Sequence, residues 1–159
     1  MAWYQPNVLR VPRQVLVYLY RRRPDGTLEF LLLRRTDEWG GFWQGVTGAP
    51  EWDESDEAGA VREVREETGF TVSVYPIDFR YEIRPQANDL AAWQRMYGPD
   101  VTRVPEEVYV AAALGDSQPK LNPREHVEYC WCRLDEALGL LAWSDNRDAL
   151  VAAAKTLDG

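Results

Sequence analysis

The chain has 159 residues, an apolar share of 45% and a formal net charge of −8, which suits one domain over residues 1–159 around one buried core. An acidic chain is poorly matched to nucleic acid, whose phosphates select basic faces, so an anionic substrate must be neutralised locally by metal or a few arginines. No apolar run is long enough to span a membrane, and the N-terminal MAWYQPNVLRVPR lacks the apolar segment of a secretion signal, so a cytoplasmic protein without a membrane partner is expected.

In chain order, QVLVYLY at residues 14–20 is apolar and β-branched and predicts a strand. Arg23, Pro24, Asp25 and Gly26 make a turn signal, and LEFLLLRR then predicts a hairpin partner that ends in Arg34 and Arg35. Residues 36–43 read as a loop with Trp39, Phe42 and Trp43 among glycines. Such aromatics either stack a heterocycle beside a charged site or plug the loop onto the core. Residues 44–48 predict one short strand that delivers Gly48 to the next segment.

That segment, GAPEWDESDEAGAVREVREETGF at residues 48–70, carries the chemistry. Glu63, Glu66 and Glu67 stand at i, i+3 and i+4, which on a helix places three carboxylates on one stripe. Like charges so placed repel by roughly a few tenths of a kcal/mol per pair. The stripe makes sense if the carboxylates share a hard divalent cation, which takes oxygen ligands. Ala60, Val61 and Val64 supply the apolar face, Ser55 and Asp56 a helix cap, and Gly69 a left-handed stop. Arg62 either pairs with Glu66 one turn on or orients a glutamate through a bidentate contact. Glu54 either balances the helix dipole or partners within the loop.

Residues 71–83 read as extended with a bend at Pro76, and residues 84–99 as irregular around a short helix in DLAAWQRMY, serving as lid, dimer contact or filler. EVYVAAAL at 107–114 and residues 126–133 predict two more strands, separated by the turn-rich GDSQPKLNP. The only two cysteines, Cys130 and Cys132, share a strand face, and with His126 the sole histidine they read as small buried hydrophobes rather than a zinc site. Glu125, just before the last strand, would close a metal site from the side opposite the helix; Glu128 competes for that place, and a plain loop carboxylate is the alternative. Residues 134–141 and 144–157 carry helical periodicity, with Ser144 or Asp145 as cap for the second. Strands, helix, strands and helices predict an α/β fold with a mixed sheet covered on both faces.

Gly48, Glu54 and the run Arg62-Glu63-Val64-Arg65-Glu66-Glu67-Thr68-Gly69-Phe70 match the Nudix box at every defined position, so the chain resembles the Nudix hydrolases. The resemblance implies the α/β/α sandwich of that family. It implies Mg2+, with Mn2+ able to substitute, held by Glu63, Glu66, Glu67 and the carbonyl of Gly48, and water attack on a phosphorus of a small-molecule phosphoanhydride. It favours the orienting role for Arg62, points Arg34 rather than Arg35 at substrate phosphates, and leaves the general base open between Glu63 and Glu67. Homodimers are common among such proteins.

Three further stretches, FWQGVTGAPEWDES, YGPDVTRVPEEVYVAAAL and EHVEYCWCRLDEALGLLAWSDNRDAL, resemble the bacterial dihydroneopterin triphosphate pyrophosphatases within that family. That subgroup implies Glu125 as a metal ligand and substrate contacts from Arg34, Thr47, Tyr81, Glu82 and Arg84. The APEWDES loop, the extra Asp145 and residues 84–99 depart from the subgroup, and these departures bear on the substrate rather than on the reaction. The expected activity is release of pyrophosphate from dihydroneopterin triphosphate or a nucleoside triphosphate. The alternatives are a diadenosine polyphosphate, ADP-ribose or another nucleoside diphosphate derivative as substrate and, in another class, a nucleotide sensor without hydrolysis, which the intact box disfavours.

Overall fold

A computed structural model of the chain describes residues 9–158. The stretch MAWYQPNV, part of the N-terminal segment expected to lack a secretion signal, lies outside the described residues. The two apolar runs near the start form strands β1 (Gln14–Arg22) and β2 (Leu28–Arg35), an antiparallel hairpin closed by the predicted turn. Both strands are buried along most of their length, so helices must cover both faces of their sheet.

The remaining strands are β3 (Trp43–Gln44), β4 (Val46–Gly48), β5 (Tyr75–Ile83), β6 (Val104–Ala112) and β7 (His126–Cys132). The sheet runs β3-β2-β1-β6-β5, with β4 added to β1 and β7 to β2. Only the β1–β6 pair is parallel; the other pairs are antiparallel, giving the expected mixed sheet. On one face Val15, Val17, Leu19, Leu31 and Leu33 pack with Ala60 and Val64 of helix α1 (Asp56–Thr68). On the other, Leu16, Tyr18, Phe30, Leu32, Val108 and Val110 pack with helices α3 (Leu134–Leu140) and α4 (Ser144–Asp158), which follow α2 (Leu90–Tyr97) in the chain. The architecture is α/β, a sheet between helical layers.

Local signals placed α1 well. The Ser55 hydroxyl accepts from the amide of Ala58 at 3.1 Å, and Gly69, at φ +80°, ends the helix. Cys130 and Cys132 are free thiols packed into the α3/α4 side of the core. Trp93 and Tyr97 of α2 form a small cluster with Val104, and the Trp93 indole donates to the Val101 carbonyl at 2.7 Å, so residues 90–97 are tied down onto the sheet.

Strand boundaries differ from expectation: β6 starts earlier and ends earlier than residues 107–114, and two further differences bear on the site. Residues 44–48 do not form one strand: the chain breaks at Gly45, so that β3 pairs with β2 while β4 crosses to β1. A side chain at Gly45 would meet the Val17 carbonyl at 2.9 Å, which leaves no room for anything larger at the crossing. The extended stretch 71–83 joins a ladder only from Tyr75 onward, with an irregular register between Pro76 and Arg80.

The loop before α1 presses on the helix at Gly59. Alanine in a helix interior is ordinarily more stable than glycine by about 1 kcal/mol. Here the added Cβ would sit 2.9 Å from Pro50 Cβ and 3.1 Å from Pro50 Cα. Gly59→Ala is therefore expected to destabilise by roughly 1–2 kcal/mol, because the backbone of the loop must shift. Gly139→Ala in α3 meets open space and is expected to be neutral or stabilising by up to about 1 kcal/mol. Urea unfolding of the two variants checks the opposite signs.

Candidate functional site

Helix α1 divides its three glutamates. Glu63 and Glu67 are buried at 0% and 1% exposure, while the Glu66 side chain remains 37% exposed. The stripe is thus two buried acids and one at the rim. Glu63 packs against β4 where Gly48 pairs with Val15, and a Cβ on Gly48 would lie 2.2 Å from the Glu63 carboxyl carbon. Glycine is required there because the carboxyl occupies the space of a side chain.

Arg62 fills both roles open to it. Its Nε contacts Glu54 Oε1 and Oε2 at 3.2 and 3.0 Å and its Nη2 adds Glu54 Oε1 at 2.9 Å, while Nη1 reaches Glu63 at 3.1 Å and Glu66 at 3.2 Å. Nη2 also donates to the Ala49 carbonyl at 3.1 Å. The guanidinium holds Glu54 below the usual carboxylate range, and Glu54 in turn raises Arg62 further. One fixed cation therefore ties the loop to two helix glutamates.

Glu67 points away from this hub into a second group. One ligand atom each from Glu67, Glu125 and His126 lie within 4.8 Å of one another, all three residues being buried. His126 Nε2 is 3.7 Å from Glu67 Oε1 and 3.3 Å from the side-chain nitrogen of Gln44. Glu125 is positioned by a turn in which its amide and that of His126 both donate to Asn122, and its carbonyl accepts from Thr36. His126 reaches this face because the β2–β7 ladder slips: Arg34 opposes Glu128 and Arg35 opposes His126, so Val127 is left over. Without that extra residue the alternation of β7 would have sent His126 to the face of Glu128 and Cys130.

Burial pushes Glu67 well up, and the neighbouring charges of Glu63 and Glu125 push it further; a hydrogen bond between the Glu63 and Glu67 carboxyls acts in the same direction. Burial also raises Glu125, against the pull of Arg35. His126 is lowered to about 4 by burial and then by Arg35, so its imidazole is neutral at pH 7. Glu67 Oε2, both carboxyl oxygens of Glu125 and His126 Nδ1 are buried without hydrogen-bond partners. Buried polar atoms left unpartnered are costly. A divalent cation held by one donor atom from each of Glu67, Glu125 and the neutral His126 would partner buried carboxyl oxygens among these, so the donor set fits such an ion.

The predicted substrate residues fall in two places. Thr47, Tyr81, Glu82 and Arg84 line a cleft of about 550 Å³, joined by Phe42, Trp143, Glu106 and Gln44. Gln44 thereby touches both the cleft and His126. Arg34 lies elsewhere: its guanidinium holds Glu128 at 2.7 Å and Asp37 at 3.5 Å. Arg35, the residue not preferred from sequence, acts on the buried cluster, with Nε buried and its guanidinium over the Trp39 ring. Glu128 is engaged by Arg34 at the surface, so Glu125 alone of the two faces α1. Among the aromatics, Trp43 packs on the core, Trp39 is exposed, and Phe42 meets Trp143 edge-on at 4.5 Å on the cleft wall.

Sequence reasoning missed Gln44, Arg35, His126 and Glu106. Glu106 is 2% exposed, and burial pushes its carboxyl up to about 7 although Tyr81 and Gln14 hydrogen-bond to it. The alternation in VPEEVYVAA of β6 marks an inward glutamate there, which is the one signal that was available.

A family model described as NUDIX domain matches residues 11–153. The chain is 31% identical over 145 residues to dihydroneopterin triphosphate diphosphatase of Escherichia coli strain K12, covering 91% of this chain and 93% of that protein. It is 28% identical over 145 residues to the Haemophilus influenzae protein of the same name, covering 87% and 84%. The solved structure of the E. coli dihydroneopterin triphosphate pyrophosphohydrolase is similar at a TM-score of 0.72 with 28% identity, covering 91% of this chain and 95% of that one.

Glu106 retains its proton up to about pH 7 in the fold, against an ordinary 4.5, so the folded state binds more protons between these values. Its contribution is fully present below pH 4.5 and is lost as pH rises through 7, worth roughly 3 kcal/mol in all. His126, lowered, acts in the opposite sense below its ordinary 6.5 but equally in wild type and variant. Glu106→Gln is therefore expected to gain stability relative to wild type on going from pH 5 to pH 8, measured by chemical denaturation at each pH.

Proposed function

The chain belongs to the NUDIX family, and from that premise we propose that it is a Mg2+-dependent pyrophosphohydrolase releasing pyrophosphate from dihydroneopterin triphosphate, or from a nucleoside triphosphate. The observation that carries this reading is the buried convergence of Glu67, Glu125 and His126 beside the Gly48–Glu63 contact. Glu63, Glu66, Glu67, Glu125 and the Gly48 carbonyl would hold Mg2+, or Mn2+ in its place. When bound, the ion supplies charge neutralisation for the phosphates and a more acidic water.

The remaining work falls to the chain. Arg62 fixes the loop and the carboxyls of Glu63 and Glu66 so that they need not reorganise as charge develops. Glu63 or Glu67, which share a hydrogen bond, takes the proton of the attacking water. Arg34 exchanges its surface carboxylates for substrate phosphates, while Thr47, Tyr81, Glu82 and Arg84 line the place of the organic half. One domain over residues 1–159 carries the activity. Free Cys130 and Cys132 suit a reducing cytoplasm.

Assays of phosphate and pyrophosphate release, with and without Mg2+, test this on dihydroneopterin triphosphate, nucleoside triphosphates, diadenosine polyphosphates and ADP-ribose. Pyrophosphate from the first, dependent on Mg2+, is expected; binding without turnover would favour a sensor. Glu67→Gln is expected to lower kcat by at least about a hundredfold, the scale for losing an acid–base or charge-stabilising group. Undiminished turnover in the folded variant removes Glu67 from the mechanism.

A further inference from the structure

The cleft has a floor that the hydrolytic chemistry does not use. Glu106 on β6 lies between Gln14, its partner on β1, and Tyr81, its partner on β5, in one row across three strands. The Tyr81 hydroxyl donates to Glu106 and accepts from the Asn146 side chain at 3.0 Å, while Tyr18 donates to the Asn146 carbonyl at 2.8 Å. These contacts bind the carboxyl to the first turn of α4 and hold it in one orientation. Among the described residues no lysine or arginine forms an ion pair with Glu106.

A carboxyl at the bottom of an open cleft, buried yet without a counter-charge, is poorly placed for stability alone. Tyrosine and glutamine occupy only part of its acceptor capacity, since an ionised carboxylate offers about four lone-pair sites. Phe42 and Trp143 stand on the cleft wall and supply apolar faces for a flat ring.

We propose that Glu106 selects the organic half of the substrate, its carboxylate accepting two adjacent N–H donors on the edge of a flat heterocycle inserted into the cleft. A ring N–H beside an exocyclic amino group, as in a pterin or guanine, has that edge; adenine and uracil do not. This rests on the hydrolase reading for the identity of the site, but the recognition does not require turnover. Burial holds the free carboxyl near neutrality, at about 7, with Tyr18 and Tyr81 protonated around it and Asp145 the nearby acid. Donors arriving from a ligand favour the charged form and so are drawn to it.

The test uses phosphate-free probes. Neopterin and guanosine, titrated into wild type and followed by NMR, are expected to bind, with adenosine and uridine much weaker. Glu106→Gln offers one acceptor and one donor to the same edge, and is expected to weaken neopterin and guanosine by about 10–100-fold, the range for a hydrogen bond to a charged group, leaving adenosine and uridine unchanged. Glu106→Asp, which keeps the charge but withdraws it by one methylene, serves if the glutamine variant fails to fold, and should weaken the same two probes. Equal binding of neopterin by wild type and folded variant overturns the proposal while leaving the hydrolase reading intact, as does absence of binding to wild type. Glu106-dependent binding without any Mg2+-dependent hydrolysis would instead overturn the hydrolase reading alone.

Discussion

Burying Glu63 and Glu67 between helix α1 and the sheet is the constraint on which the rest of the site depends. A carboxylate taken out of water loses solvation that only a charge partner or several donors restore. Arg62 does this for Glu63, and in the same grip fixes Glu54, Glu66 and the Ala49 carbonyl. It does not reach Glu67. That acid faces Glu125 and a neutral His126, so the deepest part of the site holds carboxyls whose ionisation burial opposes, with unpartnered lone pairs. Such a place is unfavourable when empty of cations and favourable with one, which is how a binding site is built from an otherwise destabilising cluster.

The sheet places this cluster beside the cleft. Because the chain leaves β2 after β3 and crosses to β1 as β4, Gly48 faces α1 while Thr47 faces the opposite side, where the cleft opens. Gln44 sits at the crossing and touches both compartments. A ligand with a polyanionic end and a flat organic end can occupy the two at once without either changing shape. The break at Gly45 is thus the topological reason that the buried carboxyl cluster and the cleft adjoin.

Much of this was legible in the sequence, for identifiable reasons. The acidic spacing, the Ser55 cap and the Gly69 stop are short-range features, and the helix formed as they dictate. Long apolar runs likewise marked β1 and β2 as a strand pair. What escaped depends on register. Arg35 faces α1 because it continues the alternation of Leu31 and Leu33 on β2, and since both faces of that strand are apolar the local pattern does not say which face meets the helix. His126 joins the cluster through the slip that leaves Val127 over in β7. The role of Glu106 depends on its neighbours across two ladders, Gln14 and Tyr81, which lie far from it in sequence.

The arrangement of arginines leaves little free positive charge around the site for a polyphosphate. Arg62 is shared among three glutamates, Arg34 is held by Glu128 and Asp37, and Arg84 and Arg103 converge on Glu82. Arg13 is likewise paired with Asp56 at the start of α1. Each of these cations is already partly neutralised, so bringing a phosphate to it means displacing a carboxylate, and the net gain is small where both pairs are exposed. Arg35 carries charge toward the cluster, but its effect falls on Glu125 and His126. Under the proposed function, most of the positive charge that a triphosphate demands would therefore enter with a divalent ion. The buried carboxyls that make the empty site costly are the groups that would hold the ion there.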